Sequence, residues 1–169
     1  MILDDAARLD RLVSRLLELA RVEDDHSTAL PVDLATIAQT CAERTWPVPV
    51  TVDAPSESLA TGRSAQLASA LENLVANATQ HAEPNTDVTI AIARRPTKPG
   101  AWRITVTNHG PAISPAAQKK VWDRFYSTRS AAGGSGLGLA IVRSVALGHN
   151  GAVGLECSDG VTAFWFEIA

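Results

Sequence analysis

Three short stretches of the 169-residue chain carry residue types able to handle a phosphate-bearing ligand. The first is GGSGLGLAIV, residues 133–142, a glycine-rich loop that turns into a helix. Bare backbone N–H groups at a helix start attract phosphate, and glycine lets the phosphate come close. The run does not follow a strand within a βαβ unit and lacks the Lys-Ser/Thr of a P-loop, so a dinucleotide fold is disfavoured. An ordinary loop and helix cap explains the glycines alone equally well. The second stretch holds Asn73 and Asn77, four apart in LENLVANA. Asparagine is a poor interior helix residue because its side chain competes for the backbone. Its carbonyl oxygen is a hard ligand suited to Mg²⁺, which keeps waters and bridges phosphates. The plain alternative is two polar residues on a helix surface. The third is VTNHGPAI, residues 106–113. Asn108 shares strand parity with Trp102, Ile104 and Val106, so its side chain leans to the buried side at a strand end. Gly110 permits a tight turn, or a flat ring close to the backbone.

These residues need elements to position them. Residues 3–23 read as one helix, with Leu9, Leu12, Leu16 and Leu19 along a bundle-type seam that Val13 and Ala20 widen. Its acids come early and Arg15 and Arg21 late, which suits the helix dipole. Residues 24–32 read as a linker, and Asp33 as the cap of a second helix bearing Leu34, Ile37, Ala38 and Cys41. Val48, Val50 and Val52 alternate as a strand, and residues 59–61 as a short one. Residues 63–82 form the helix of the paired asparagines, which sit roughly 100° round from the stripe of Leu67, Leu71, Leu74 and Ala78. Two strands follow, joined by the solvated basic turn of residues 94–100. Ser114 caps a short helix to about Asp123, the glycine run starts a helix to about Leu147, and His149 ends it as a favourable cation. Val153, Leu155 and Cys157 face Phe164, Phe166 and Ile168 in a closing hairpin. This order predicts a two-layer α/β (α+β) sandwich preceded by one bundle-type helix.

Composition narrows the function classes. Hydrophobic residues at 46 % and charged residues at 20 % exclude a disordered chain. A net charge of -3 argues against a broad nucleic-acid surface. No apolar run approaches the roughly 20 residues of a membrane helix, so a membrane is expected only through segments upstream, with a cytoplasmic location for this part. Cys41 and Cys157 have no metal-like spacing and read as small core residues, with a disulfide left open.

In sequence order, LENLVANATQHA, NHGPAI, VWDRFYST and GGSGLGLAIV resemble the N, G1, F and G2 boxes of the ATP-binding catalytic domain of bacterial sensor histidine kinases, with its Bergerat-type (GHKL) fold. Residues 1–23, ending LLELARVE, resemble the second helix of that family's dimerisation and phosphotransfer domain, which leaves 33–169 as the catalytic domain. The resemblance implies ATP and Mg²⁺ as ligands. Asn77 would coordinate the metal, Asn73 would contact metal or phosphates, and His81 would approach the phosphate end. Asn108 would bond the adenine amino group, and Gly110 would leave room for the ring. Arg124 would contact the γ-phosphate, and Phe125 would anchor a mobile lid of residues 127–134. Gly134, Gly136 and Gly138, with Ser135 and Leu137 between them, would shape the phosphate loop. Gln80, Ala112 and Ile113 complete the implied nucleotide-binding set. The implied activity is in-line transfer of the γ-phosphoryl to a histidine and onward to an Asp of a response regulator receiver domain, in a homodimer.

Several positions depart from the family pattern. Asn108 stands where the family has an adenine-contacting Asp, Ala112 where it has a second glycine, and Gln80 where a Lys is common. An amide both donates and accepts, whereas a carboxylate only accepts, so a carbonyl-bearing base becomes tolerable. None of His26, His81, His109 and His149 has the setting of the family's phosphate-accepting histidine. The expected acceptor therefore lies upstream of the sequence in hand, so this chain alone would not phosphorylate itself on the usual site. A degenerate nucleotide-binding scaffold and an anti-sigma-factor serine kinase are the competing readings.

Overall fold

The structure, a computed structural model, describes residues 2–95, 98–127 and 135–169, with only the backbone described for residues 2–5 and 8. Helix α1 (Ile2–Asp24) leads through an irregular stretch to β1 (Leu30–Asp33), α2 (Leu34–Ala42), β2 (Val50–Asp53) and β3 (Leu59–Gly62). Helix α3 (Ser64–His81), β4 (Val88–Arg94), β5 (Trp102–His109) and the short α4 (Pro115–Gln118) follow. Helix α5 (Gly138–Gly148), β6 (Val153–Ser158) and β7 (Val161–Ile168) end the chain. The main sheet has the order β2-β4-β5-β7-β6, antiparallel except for the parallel pair β2–β4.

Alternation explains the sheet's inner face. Val88, Ile90 and Ile92 on β4, Trp102, Ile104 and Val106 on β5, and Phe164, Phe166 and Ile168 on β7 are all buried. They meet Leu67, Leu71, Leu74 and Ala78 of α3 and Ile141, Val142 and Val145 of α5 in one core. The result is the expected two-layer sandwich. In the hairpin, Val153 opposes Phe166 and Leu155 opposes Phe164, but Cys157 opposes Thr162 and Ile168 pairs with Trp102 of β5. Asp159 and Gly160 both take positive φ, 50° and 75°, as a two-residue loop with right-handed strand twist requires.

Four local expectations change. The stretch expected as linker ends in strand β1, where Leu30–Asp33 pairs with Leu59–Gly62; Pro31 is tolerated because the β1–β3 sheet has only two strands. The basic turn is tethered as well as solvated. Arg94 lies 4.5 Å from the Trp102 ring centroid, Arg95 pairs with Glu167 at 2.7 Å, and Lys98 donates to the Asn150 carbonyl at 2.9 Å. The helix after Ser114 stops at Gln118. Beyond it, Lys120 and Asp123 donate to carbonyls three residues back, tightening the chain into turns. His149 is not an exposed cation. It is 4 % exposed; its Nδ1 lies 2.7 Å from the Val145 carbonyl and its Nε2 accepts from the Arg63 N–H at 3.0 Å. Burial pushes its pKa below the ordinary histidine value, so the neutral Nδ1–H tautomer ties the end of α5 to the start of α3.

Asp33 caps α2 as expected. Its carboxylate accepts from Ala35 N–H at 3.1 Å, the Ser58 hydroxyl at 2.7 Å and the Thr36 hydroxyl at 2.9 Å. Those bonds, led by that from Ser58, hold its pKa below the usual value. Cys41 and Cys157 are both free; burial, then the charge of Glu72, pushes the Cys41 thiol up to about 11. Helix α1 buries Leu19 in the core beside α5, whereas Leu9, Val13, Leu16 and Leu17 remain exposed. No helix among the described residues is long and apolar enough to cross a membrane.

Candidate functional site

A groove of about 740 Å³ opens between one flank of α3, the inner ends of β5 and β7, and the start of α5. The flank of α3 presents Asn73, Asn77, Gln80 and His81 to it. Asn73 is 6 % exposed and donates from Nδ2 to the Ser69 carbonyl at 2.9 Å, which leaves Oδ1 toward α5. A Cβ on Gly138 would lie 2.9 Å from that oxygen, so the first residue of α5 approaches Asn73 closely because it is glycine. Asn77 is half-buried one turn on, and Gln80 lies at the exposed rim.

The inner end belongs to Asn108 and Thr162, which face each other across β5 and β7. They are 3 % and 4 % exposed. Among the described residues the Asn108 side-chain amide has no hydrogen-bond partner, although its surroundings are otherwise buried. Gly110 lies just beyond, its N–H donating to the Gly160 carbonyl at 2.9 Å. A Cβ there would stand 2.2 Å from the His81 carbonyl oxygen. The end of α3 thus demands glycine here, a constraint beyond the tight turn or the ligand ring that the sequence suggests.

The opposite wall is formed by Ile113, Val121, Tyr126, Ser135 and Gly136. Gly136 has φ of 65° and its carbonyl accepts from the Phe125 N–H at 2.9 Å. Four expected site residues are placed differently. Leu137 is fully buried in the core and Ala112 is exposed outside the groove. Phe125 is 61 % exposed, so its ring anchors nothing among the described residues. Arg124 pairs with Glu23 of α1 at 2.5 Å, beside a 3.2 Å bond from the Ser144 hydroxyl to the same carboxylate. Gly134 and most of the expected lid lie outside the described residues.

Sequence reasoning missed two parts of this site. Thr162 shares the parity of Phe164 and Phe166, so the alternation that buried Asn108 also signals it. The other part is α1, which brings Asp10, Arg11, Ser14, Arg15 and Glu18 to the groove's outer rim. Arg15 and Glu18 pair at 2.8 Å, and Glu18 also accepts from the Ser69 hydroxyl on α3. No local pattern announces that contact.

Residues 62–169 match the model of the histidine kinase-, DNA gyrase B-, and HSP90-like ATPases. The chain belongs to this ATPase family. It is 37 % identical over 183 aligned residues to the sensor-like histidine kinase SenX3 of Mycobacterium tuberculosis, covering 99 % of the chain and 43 % of that relative. The chain thus spans less than half the length of the curated relative it matches. Among solved structures, the mycobacterial sensor histidine kinase MprB superposes with a TM-score of 0.73 at 28 % identity, covering 83 % of this chain and 96 % of that one. Full-length ShkA in complex with AMPPNP gives 0.82 at 26 % identity, over 98 % of this chain and 36 % of that one. The sandwich with its five-stranded sheet is therefore the architecture of histidine kinase catalytic domains, and this ATPase domain places its groove between α3 and α5.

Among the described residues no group of three His, Cys, Asp or Glu side chains could hold a metal ion. The donors that do face the groove are the amides of Asn73 and Asn77. They suit a Mg²⁺ ion that arrives on phosphate, keeps waters and takes one or two protein oxygens.

Proposed function

We propose that this chain is the ATP-binding kinase core of a two-component sensor histidine kinase. It positions the γ-phosphoryl of ATP for transfer to a histidine supplied from outside the four present here, and onward to an Asp of a response regulator receiver domain. One observation carries the reading: the Asn108 amide, without a protein partner among the described residues, and a polar helix flank open onto the same groove. Its donor and its acceptor are therefore both available to the edge of a ligand.

Each residue then has a task. Asn108 and Thr162 bind the base at the closed end of the groove. Asn77 holds Mg²⁺ through its side-chain oxygen, with Asn73 one turn earlier and His81 at the phosphate end. A bound Mg²⁺ would supply neutralisation of charge on the phosphate oxygens. Gly136 and Gly138 offer backbone without side-chain obstruction along the phosphates, and the Ser135 hydroxyl accepts from the Leu137 N–H between them at 3.3 Å. Arg124 reaches a γ-phosphate only after releasing Glu23. The rate gain comes from holding the reacting groups in line.

Calorimetric titration of the chain with Mg·AMPPNP tests this directly. Saturable heat is expected, together with thermal stabilisation; at 100-fold excess over Kd a ligand adds about 2.7 kcal/mol. Asn77→Ala should weaken binding in Mg²⁺ and have little effect in EDTA. Absence of heat and of stabilisation at millimolar nucleotide would refute the reading and leave a scaffold that keeps only the fold.

A further inference from the structure

The buried end of the groove differs in chemistry from a carboxylate-lined base site. We infer that this pocket reads the purine 6-position with a group that both donates and accepts, and so takes 6-oxopurine nucleotides such as guanine nucleotides alongside adenine ones. The inference rests on the nucleotide-binding reading above and specifies its substrate class.

Three observations support it. The Asn108 amide is 3 % exposed, opens onto the groove and has no hydrogen-bond partner among the described residues. Nothing therefore fixes which of its two ends points at the ligand. Its neighbour across the sheet, Thr162, is a hydroxyl that also donates and accepts, and it is 4 % exposed. The missing side chain of Gly110 leaves space next to the amide, since a Cβ there would lie 3.0 Å from Nδ2. No carboxylate is among the residues facing the groove's inner end.

The base edges complete the reasoning. Adenine presents its 6-amino donor beside the N1 acceptor. Guanine presents its 6-oxo acceptor beside the N1–H donor. A carboxylate accepts from the amino group of adenine or from N1–H of guanine, but it has no donor for N1 of adenine and repels the 6-oxo group. A primary amide matches the first edge with oxygen toward the amino group, and the second with nitrogen toward the oxo group, by a half-turn of its terminal torsion. The hydroxyl of Thr162, 3.6 Å from the Cys157 thiol, which can itself donate or accept, adjusts in the same way without moving the backbone.

The test is a pair of titrations with Mg·AMPPNP and Mg·GMPPNP on the chain and on Asn108→Asp. The wild-type affinities should lie within about tenfold of each other, and Asn108→Asp should widen the ratio in favour of adenine by about tenfold or more. A wild-type preference for adenine as large as that of the variant overturns the inference, as does an equal change for both nucleotides. Should Asn108→Asp fail to fold in a thermal melt, the wild-type ratio decides alone. Binding of the adenine analogue with rejection of the guanine one defeats this inference and spares the kinase-core reading; binding of neither defeats both.

Discussion

His149 offers the most direct test of how the two main helices are joined. Its neutral ring donates from Nδ1 to the Val145 carbonyl and accepts at Nε2 from the Arg63 N–H. Protonation would turn Nε2 into a donor facing another donor, beside the Arg63 charge, inside a site that is 4 % exposed. The folded state therefore resists the proton, and the pKa falls below the ordinary 6.5. The unfolded chain takes up that proton as pH falls below about 6.5, while the folded chain does not. Stability from this residue is thus fully present above pH 6.5 and is lost on acidification toward the folded pKa. Between pH 7.5 and pH 5.5 the loss is at most about 1.4 kcal/mol. Glutamine at this position cannot titrate. Urea denaturation of wild type and His149→Gln at a series of pH values isolates the term, because every other group is common to both proteins. The advantage of wild type over the variant should shrink steadily from pH 7.5 to 5.5. A difference that does not vary with pH, or one that grows on acidification, would refute the buried neutral tautomer.

Other consequences are equally accessible. Gly110→Ala places a Cβ 2.2 Å from a backbone oxygen that cannot swing aside, so urea denaturation should show a loss of about 3 kcal/mol. Trp102 donates from Nε1 to the Leu59 carbonyl at 3.0 Å, whereas the buried Nε1 of Trp165 has no partner among the described residues. Trp102→Phe should therefore cost about 3 kcal/mol and Trp165→Phe under about 1 kcal/mol, measured by the same melts. Glu23→Gln removes an exposed ion pair to Arg124, so stability should change by less than about 1 kcal/mol. If Arg124 serves the γ-phosphate, the same variant should tighten Mg·AMPPNP by about threefold in a titration, and unchanged affinity would count against that role.

Most of the framework was legible because it is periodic. The stripe Leu67, Leu71, Leu74 and Ala78 places α3 against the sheet, and strand parity alone puts Asn108 on the buried side. The same parity carried Thr162, which lacked a motif to draw attention to it. Features that depend on distant partners were not legible. The Arg63 N–H that settles His149 lies 86 residues away, and Glu23 lies 101 residues from Arg124. Local rules favour a cation after a helix, and a tertiary hydrogen bond overrode them at His149. Pro31 suggested a break, yet a two-stranded ladder admits it because its outer edge needs no donor. Gly110 was legible as indispensable but for a different neighbour, since sequence does not show that the end of α3 crosses there.

The ladder joining Trp102–His109 to Val161–Ile168 runs through the middle of the sheet without interruption. The two side chains at its inner end are therefore mounted on the two strands at the centre of the sheet, while Asn73, Asn77, Ser135 and Gly136 sit on a helix flank and a loop. A substitution at position 108 or 162 exchanges one polar group for another on a strand pair that the rest of the sheet holds in place. If the groove takes a nucleotide as proposed, base preference and phosphate handling are therefore separable by mutation.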